Sequence, residues 1–91
     1  MSFSIIYTPS YNKRAARFLK RHPDLNNQYL KTLQLLELNP HHPSLRLHRL
    51  MGSLNQLHSV SINTTYRISL ELKISEKEII LVSVGSHGEV Y

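Results

Sequence analysis

The order of apolar and polar positions divides the chain into short elements. Phe3-Ser4-Ile5-Ile6-Tyr7 is rich in aromatic and β-branched residues and predicts a strand, closed by Thr8-Pro9-Ser10. Tyr11, Ala15, Phe18 and Leu19 then fall on one face of a helix running from Tyr11 to about Arg21, with Ser10 as the expected N-cap. His22-Pro23 interrupts it, because the residue before a proline avoids the α region. A second helix is expected from Pro23-Asp24 onward, on the spacing of Leu25, Tyr29, Leu33 and Leu36. Leu30, Leu35 and Leu38 widen its stripe, which predicts cover on more than one side, and Asn39-Pro40 ends it.

From Leu45 the period shortens to two. Leu45 to Leu50 alternates imperfectly, as a strand or an extended loop, and Gly52 with Asn55-Gln56 marks a turn. Leu57 to Asn63 predicts a strand with Val60 and Ile62 on one face and Ser59 and Ser61 on the other. After Thr64-Thr65, the strand Tyr66 to Leu72 sets Tyr66, Ile68, Leu70 and Leu72 against Arg67, Ser69 and Glu71. Ser75 to Glu78 is a polar turn, and Ile79 to Val84 is an apolar run fit for a central strand, ended by Gly85. The order β-α-α-β-β-β-β predicts an α+β fold: an N-terminal strand, a helical hairpin, then a three- to four-stranded, mostly antiparallel sheet. The first strand has to find its partner among the later ones. Residues 1–91 are expected to form a single domain.

Composition narrows the chemistry. The 91 residues include no cysteine, which excludes disulfides, thiolate nucleophiles and cysteine-based zinc sites. No apolar run approaches the ~18 residues of a membrane span, so a soluble, cytoplasmic protein with no membrane partner is expected. Eleven Lys and Arg against six acids give a net charge of +5. Eight of those cations and only two acids lie in residues 1–50, so the positive field belongs to the first half. Its clearest carrier is the outer face of the first helix, with Lys13, Arg14, Arg17, Lys20 and Arg21. These are either a solvated face or a rail for phosphates.

The six histidines separate by context. His22 suits a helix C-terminus, His41-His42 an exposed loop, and His58 shares parity with Val60 and Ile62, which turns it toward the helices or their edge. No metal site is expected, since no HxxxH or HExxH spacing occurs. The sole Asp, Asp24, opens a helix, which disfavours a Ser-His-Asp triad. His48, Arg67, His87 and Tyr91 lie near the ends of neighbouring strands. If they converge, they suit cleavage of RNA by its own 2′-hydroxyl, which needs no cofactor. Histidine titrates near neutrality as base or acid. Arginine offers a charged fork to phosphoryl oxygens, and an aromatic ring can stack on a splayed base.

Three segments carry a resemblance: Leu47 to Leu54 (LHRLMGSL), Tyr66-Arg67-Ile68, and Val84 to Tyr91 (VGSHGEVY). In order and spacing the chain resembles the RelE/ParE superfamily of bacterial toxins, most of all its YafQ-like branch. The resemblance spans nearly the whole chain and is weakest over the helices. It implies the toxin of a type II toxin–antitoxin pair, a ribosome-dependent mRNA endonuclease leaving a 2′,3′-cyclic phosphate and a 5′-OH. It also implies a partly disordered, acidic antitoxin as partner, together with the ribosome and its mRNA. By this resemblance His48 and His87 match active-site histidines, Arg67 binds phosphate and Tyr91 stacks on an mRNA base; His48 is then taken as the base by elimination and His87 as the acid, with a different base as the alternative. Arg46, Arg49, Ser59 and Ser61 join the basic helix as expected RNA contacts. The chain departs from the pattern at Ser59 and Ser61, where relatives carry Lys, Asp or His, and at Thr65, where the YafQ-like branch carries Asp. A ParE-like gyrase inhibitor without a nuclease site, or a weakened toxin homologue, is the alternative on the same fold.

Overall fold

The computed structural model describes residues 2–52 and 56–90; of His87 and Glu89 only the backbone is described. The chain runs β1 (Ser4–Ile6), α1 (Pro9–Arg21), a 3-10 turn (Pro23–Leu25), α2 (Asn26–Leu38) and a second 3-10 turn (Pro43–Leu45). β2 (His48–Arg49), β3 (His58–Ser61), β4 (Tyr66–Lys73), β5 (Glu78–Ser86) and the short helix α3 (His87–Val90) follow. The strands form one five-stranded sheet in the order β1-β5-β4-β3-β2. The expected α+β arrangement is therefore present, and the first strand finds its partner in the last, parallel to β5 with Ser4, Ile5 and Ile6 opposite Glu78, Ile79 and Ile80.

α1 starts earlier than its apolar spacing implies. Thr8, not Ser10, is the N-cap: its backbone is extended and its Oγ1 accepts from the N–H of Tyr11 at 3.2 Å. Pro9 takes the first helical position, where a missing N–H costs nothing. Lys20 and Arg21 occupy the last turn, favourable to the helix dipole, and His22 caps the end. Pro23 opens a 3-10 turn instead of the second α-helix, which begins only at Asn26.

The core lies between the two helices and one face of the sheet. Tyr11, Ala15 and Phe18 of α1 and Tyr29, Leu33 and Leu36 of α2 meet Val60, Ile62, Ile68, Leu70, Ile79, Leu81 and Val84. Burying one large apolar side chain of this kind contributes ~1.5–3 kcal/mol. Tyr11 and Tyr29 share a buried hydroxyl pair at 2.6 Å, which satisfies both rings' polar ends inside the core. Burial pushes the Tyr11 phenol far above its ordinary range. The wide stripe of α2 is only partly covered: Leu30 is 48% and Leu38 65% exposed, so the expected cover on more than one side is absent at these two residues.

β5 explains why its sequence reads as a nearly unbroken apolar run, interrupted only at Ser83. Ser69 pairs with Ser83 but Leu70 pairs with Leu81, so Val82 is an extra residue in β5. This bulge shifts the alternation. Ile79 and Leu81 face the helices before it, and Val84 faces them after it, while Ser83 turns to the other side. β5 also runs through Gly85 to Ser86, two residues further than the glycine implies, and leads straight into α3.

Candidate functional site

The face of the sheet turned away from α1 and α2 carries the candidate residues. Its rows are read from the register. His48 on β2 lies opposite Ser59 on β3, Ser59 opposite Ser69 on β4, and Ser69 opposite Ser83 on β5. The next row joins Ser61, Arg67 and Gly85. His87 follows two residues after Gly85, as the first residue of α3. Strands are spaced by ~4.8 Å and rise ~3.4 Å per residue, so the backbones of His48 and Arg67, two strands over and one row along, are about 12 Å apart, a span that two long side chains and a phosphate between them can bridge.

His48 has a defined orientation. Its Nδ1 lies 3.1 Å from the carbonyl oxygen of Arg46. A carbonyl can only accept, so Nδ1 carries the proton and Nε2 carries the lone pair of the neutral ring. Arg46 achieves this with a left-handed backbone, φ 51°, uncommon for a residue with a side chain. Arg67 is half-buried, so its charge is held against low-dielectric surroundings with its position set by β3 and β5 on both sides. Gly85 across from it places no side chain beside the guanidinium.

The remaining expected contacts scatter. Ser59 is fully buried, so its hydroxyl presents no surface to a ligand; Leu50 at 4% and Val90 at 6% exposure are buried outside the helix-side core cluster. Ser61 is half-buried. Arg49 pairs with His58 and so takes the parity opposite to His48. His58 is held below its usual value of 6.5, first by burial and then by the positive charge of Arg49, His48 and His41. Thr65 sits in an exposed turn whose N–H, like that of Tyr66, donates to Asn63 Oδ1 at 2.8 Å. Arg46 lines a cavity of about 170 Å³ with Asn63 and Thr64. Tyr91 lies outside the described residues.

The basic helix is not a uniform rail. Arg14, Arg17 and Arg21 line one cavity of about 210 Å³ together with Phe18, His22 and Ser83, whereas Lys13 and Lys20 do not border it. Sequence spacing alone shows the three arginines at i, i+3 and i+7, but not that His22 and a β5 residue complete the cleft. Among the described residues no group of three His, Asp or Glu side chains is arranged to hold a metal, and no helix is long and apolar enough to cross a membrane.

A helical hairpin packed on one face of a five-stranded sheet, with the N-terminal strand parallel to the last, is the fold of the RelE/ParE toxins, and this chain has that fold. It is similar to YafQ from E. coli strain BL21(DE3), with a TM-score of 0.77 at 20% identity over 94% of each chain. YafQ in the E. coli DinJ-YafQ toxin-antitoxin complex matches with a TM-score of 0.76 at 22% identity, over 97% of this chain and 96% of that one. The YoeB/ParE toxin from Agrobacterium tumefaciens matches at 0.71 and 15% identity, over 93% and 99%. No family model and no curated protein matches the chain.

Proposed function

We propose that the chain is the toxin of a type II toxin–antitoxin pair and that it cuts messenger RNA on the ribosome. One observation carries this: a sheet face with His48 and Arg67 in neighbouring rows, and His87 just beyond β5, on a fold shared with YafQ over nearly the whole chain. In the reaction the ribose 2′-oxygen attacks the adjacent phosphorus and the 5′-oxygen leaves, giving a 2′,3′-cyclic phosphate and a 5′-OH. His48 takes the 2′ proton through Nε2. Arg67 lends its fork to the phosphoryl oxygens as charge builds on them. His87 returns a proton to the departing 5′-oxygen, and Tyr91 stacks on the base to hold the strand in line. One proton is removed and one supplied, so no metal is required.

The partner is an antitoxin with an acidic segment that orders on binding. The net charge of +5 and the exposed Leu30 and Leu38 of α2 support a partner that is acidic and partly apolar. The protein then works in the cytoplasm, where its ribosomes are.

The test is induction of the chain with and without its antitoxin, with mapping of mRNA 5′ ends. Growth arrest with new 5′-OH ends in coding regions is expected. His87→Ala should lower the cleavage rate by about 10²–10⁴-fold with no change in the unfolding transition. Arrest with intact messages and inhibited gyrase would overturn the nuclease in favour of the ParE-like activity.

A further inference from the structure

The cleft beneath α1 has features that a solvated helix face does not need. Three guanidiniums line it, and among the described residues none of the three has an ion pair or a hydrogen bond. Like charges at i, i+3 and i+4 on a helix destabilise it, so Arg14, Arg17 and Arg21 are kept together at a cost in stability. Three arginines, with fifteen N–H donors among them, thus border one cavity with no carboxylate in its lining. One wall is aromatic. The His22 ring lies 4.9 Å from that of Phe18 and 4.6 Å from that of Tyr66, which fixes the imidazole at the C-terminal end of the cleft. At about 210 Å³ the cavity falls below the ~300–1,000 Å³ of sites that enclose a drug-sized ligand. It fits a small, strongly anionic group with a flat neighbour.

Its position relates it to the open face. β1 pairs with β5 only as far as Ile80, so among the described residues no strand lies beyond the stretch from Leu81 to Ser86. The cleft borders that edge at Ser83 and Val84, while Gly85, the next residue, pairs with Arg67. The cavity and Arg67 therefore lie on the two sides of β5, about one strand width apart. A nucleic-acid strand seated at Arg67 can pass over this edge to α1.

We propose that the Arg14–Arg17–Arg21–His22 cleft binds a backbone phosphodiester of single-stranded RNA, the one flanking the bond cut on the open face. This rests on the nuclease reading for the strand's identity, but its test does not depend on cleavage. The flanking phosphate holds the strand in register, and Phe18 and His22 give its sugar or base an apolar wall. RNA fits better than an acidic peptide because the half-buried His22 ring, backed by Phe18, offers a base a face to stack on in addition to charge.

The ligand chemistry is an RNA phosphodiester, which either the substrate strand or a neighbouring folded RNA could supply. Full-length protein is titrated with a 2′-O-methyl single strand, which lacks the attacking hydroxyl, and in parallel with an RNA hairpin and with an oligoglutamate peptide, at several salt concentrations. Arg17→Ala should raise Kd for the single strand about tenfold at low salt and lower the salt slope by about 0.7, the value for one lost phosphate contact. Arg17→Lys, which keeps the charge without the fork, should fall between. Lys31→Ala, removing one charge from α2, should leave both quantities near wild type. Arg17 is exposed, and circular dichroism checks that its variants fold. Equal effects of Arg17→Ala and Lys31→Ala would overturn the cleft. Loss confined to the hairpin would overturn the flanking position, and loss confined to an oligoglutamate peptide would overturn RNA as the ligand. If the cleft binds RNA as described while His87→Ala leaves mRNA ends unchanged, the nuclease fails and the cleft stands.

Discussion

Ser69 and Leu70 are neighbours on β4, both almost completely buried at 1% and 0% exposure, and they belong to different environments. Leu70 enters the interface with the helices, among Val60, Ile68 and Leu81. Ser69 enters a row of serines on the opposite face, and its Oγ is buried with no hydrogen-bond partner among the described residues. The helix-side face is made of large apolar groups that hold the fold. The other face carries a row of small polar groups, Ser59, Ser69 and Ser83, that are themselves covered, with His48 at one end of the row and Arg67 in the next. Ser69 and Leu70 are equally buried, and what each contributes is not.

Three substitutions sharpen that contrast. Leu70→Ala should cost about 2–5 kcal/mol in urea unfolding, the range for a large-to-small change in a packed core, while the cleavage rate per folded molecule stays near wild type. Ser69→Ala should leave stability unchanged or raise it by up to about 1 kcal/mol, because it removes a buried hydroxyl that nothing satisfies. A loss comparable to Leu70→Ala would mean that the serine row is a second core. The smallest effect concerns His58, whose folded value lies below 6.5. Below pH 6.5 the unfolded chain takes up this proton before the folded one does, so stability falls as pH drops through that region until the folded value is passed. His58→Gln should flatten this part of a Tm-against-pH profile, and an unchanged profile would remove His58 as its source.

Much of the helix-side face was legible because it follows periodicity. The alternation of Tyr66, Ile68, Leu70 and Leu72 set the inward side of β4, and Tyr11, Ala15 and Phe18 set that of α1. Two local signals were present but outweighed: Thr8-Pro9 is a cap followed by a proline at the first helical position, and Ser10 competed with it. The Ile79–Val84 run hid a bulge, because the inserted Val82 is as apolar as Ile80 and Leu81 before it and Ser83 alone marks the shifted register. The open face was read less well. Alternation shows that Ser59 and Ser69 point away from the helices, but not that they are covered there. The union of three arginines with His22 and Ser83 depends on how α1 lies against the edge of β5, which is a tertiary fact.

β5 is the hub of the sheet, bonded to β1 on one side and β4 on the other. It is also made after every other strand. Closing the sheet joins Ser4 to Glu78, a contact across most of the chain, and such long-range closure comes late in folding. A nascent chain still lacking β5 has no partner for β1, no mate for Gly85's side of Arg67, and no edge for α1 to cover. The ribosome that synthesises this protein is therefore handling an unassembled tool, and any action on messages begins only once the final strand has emerged.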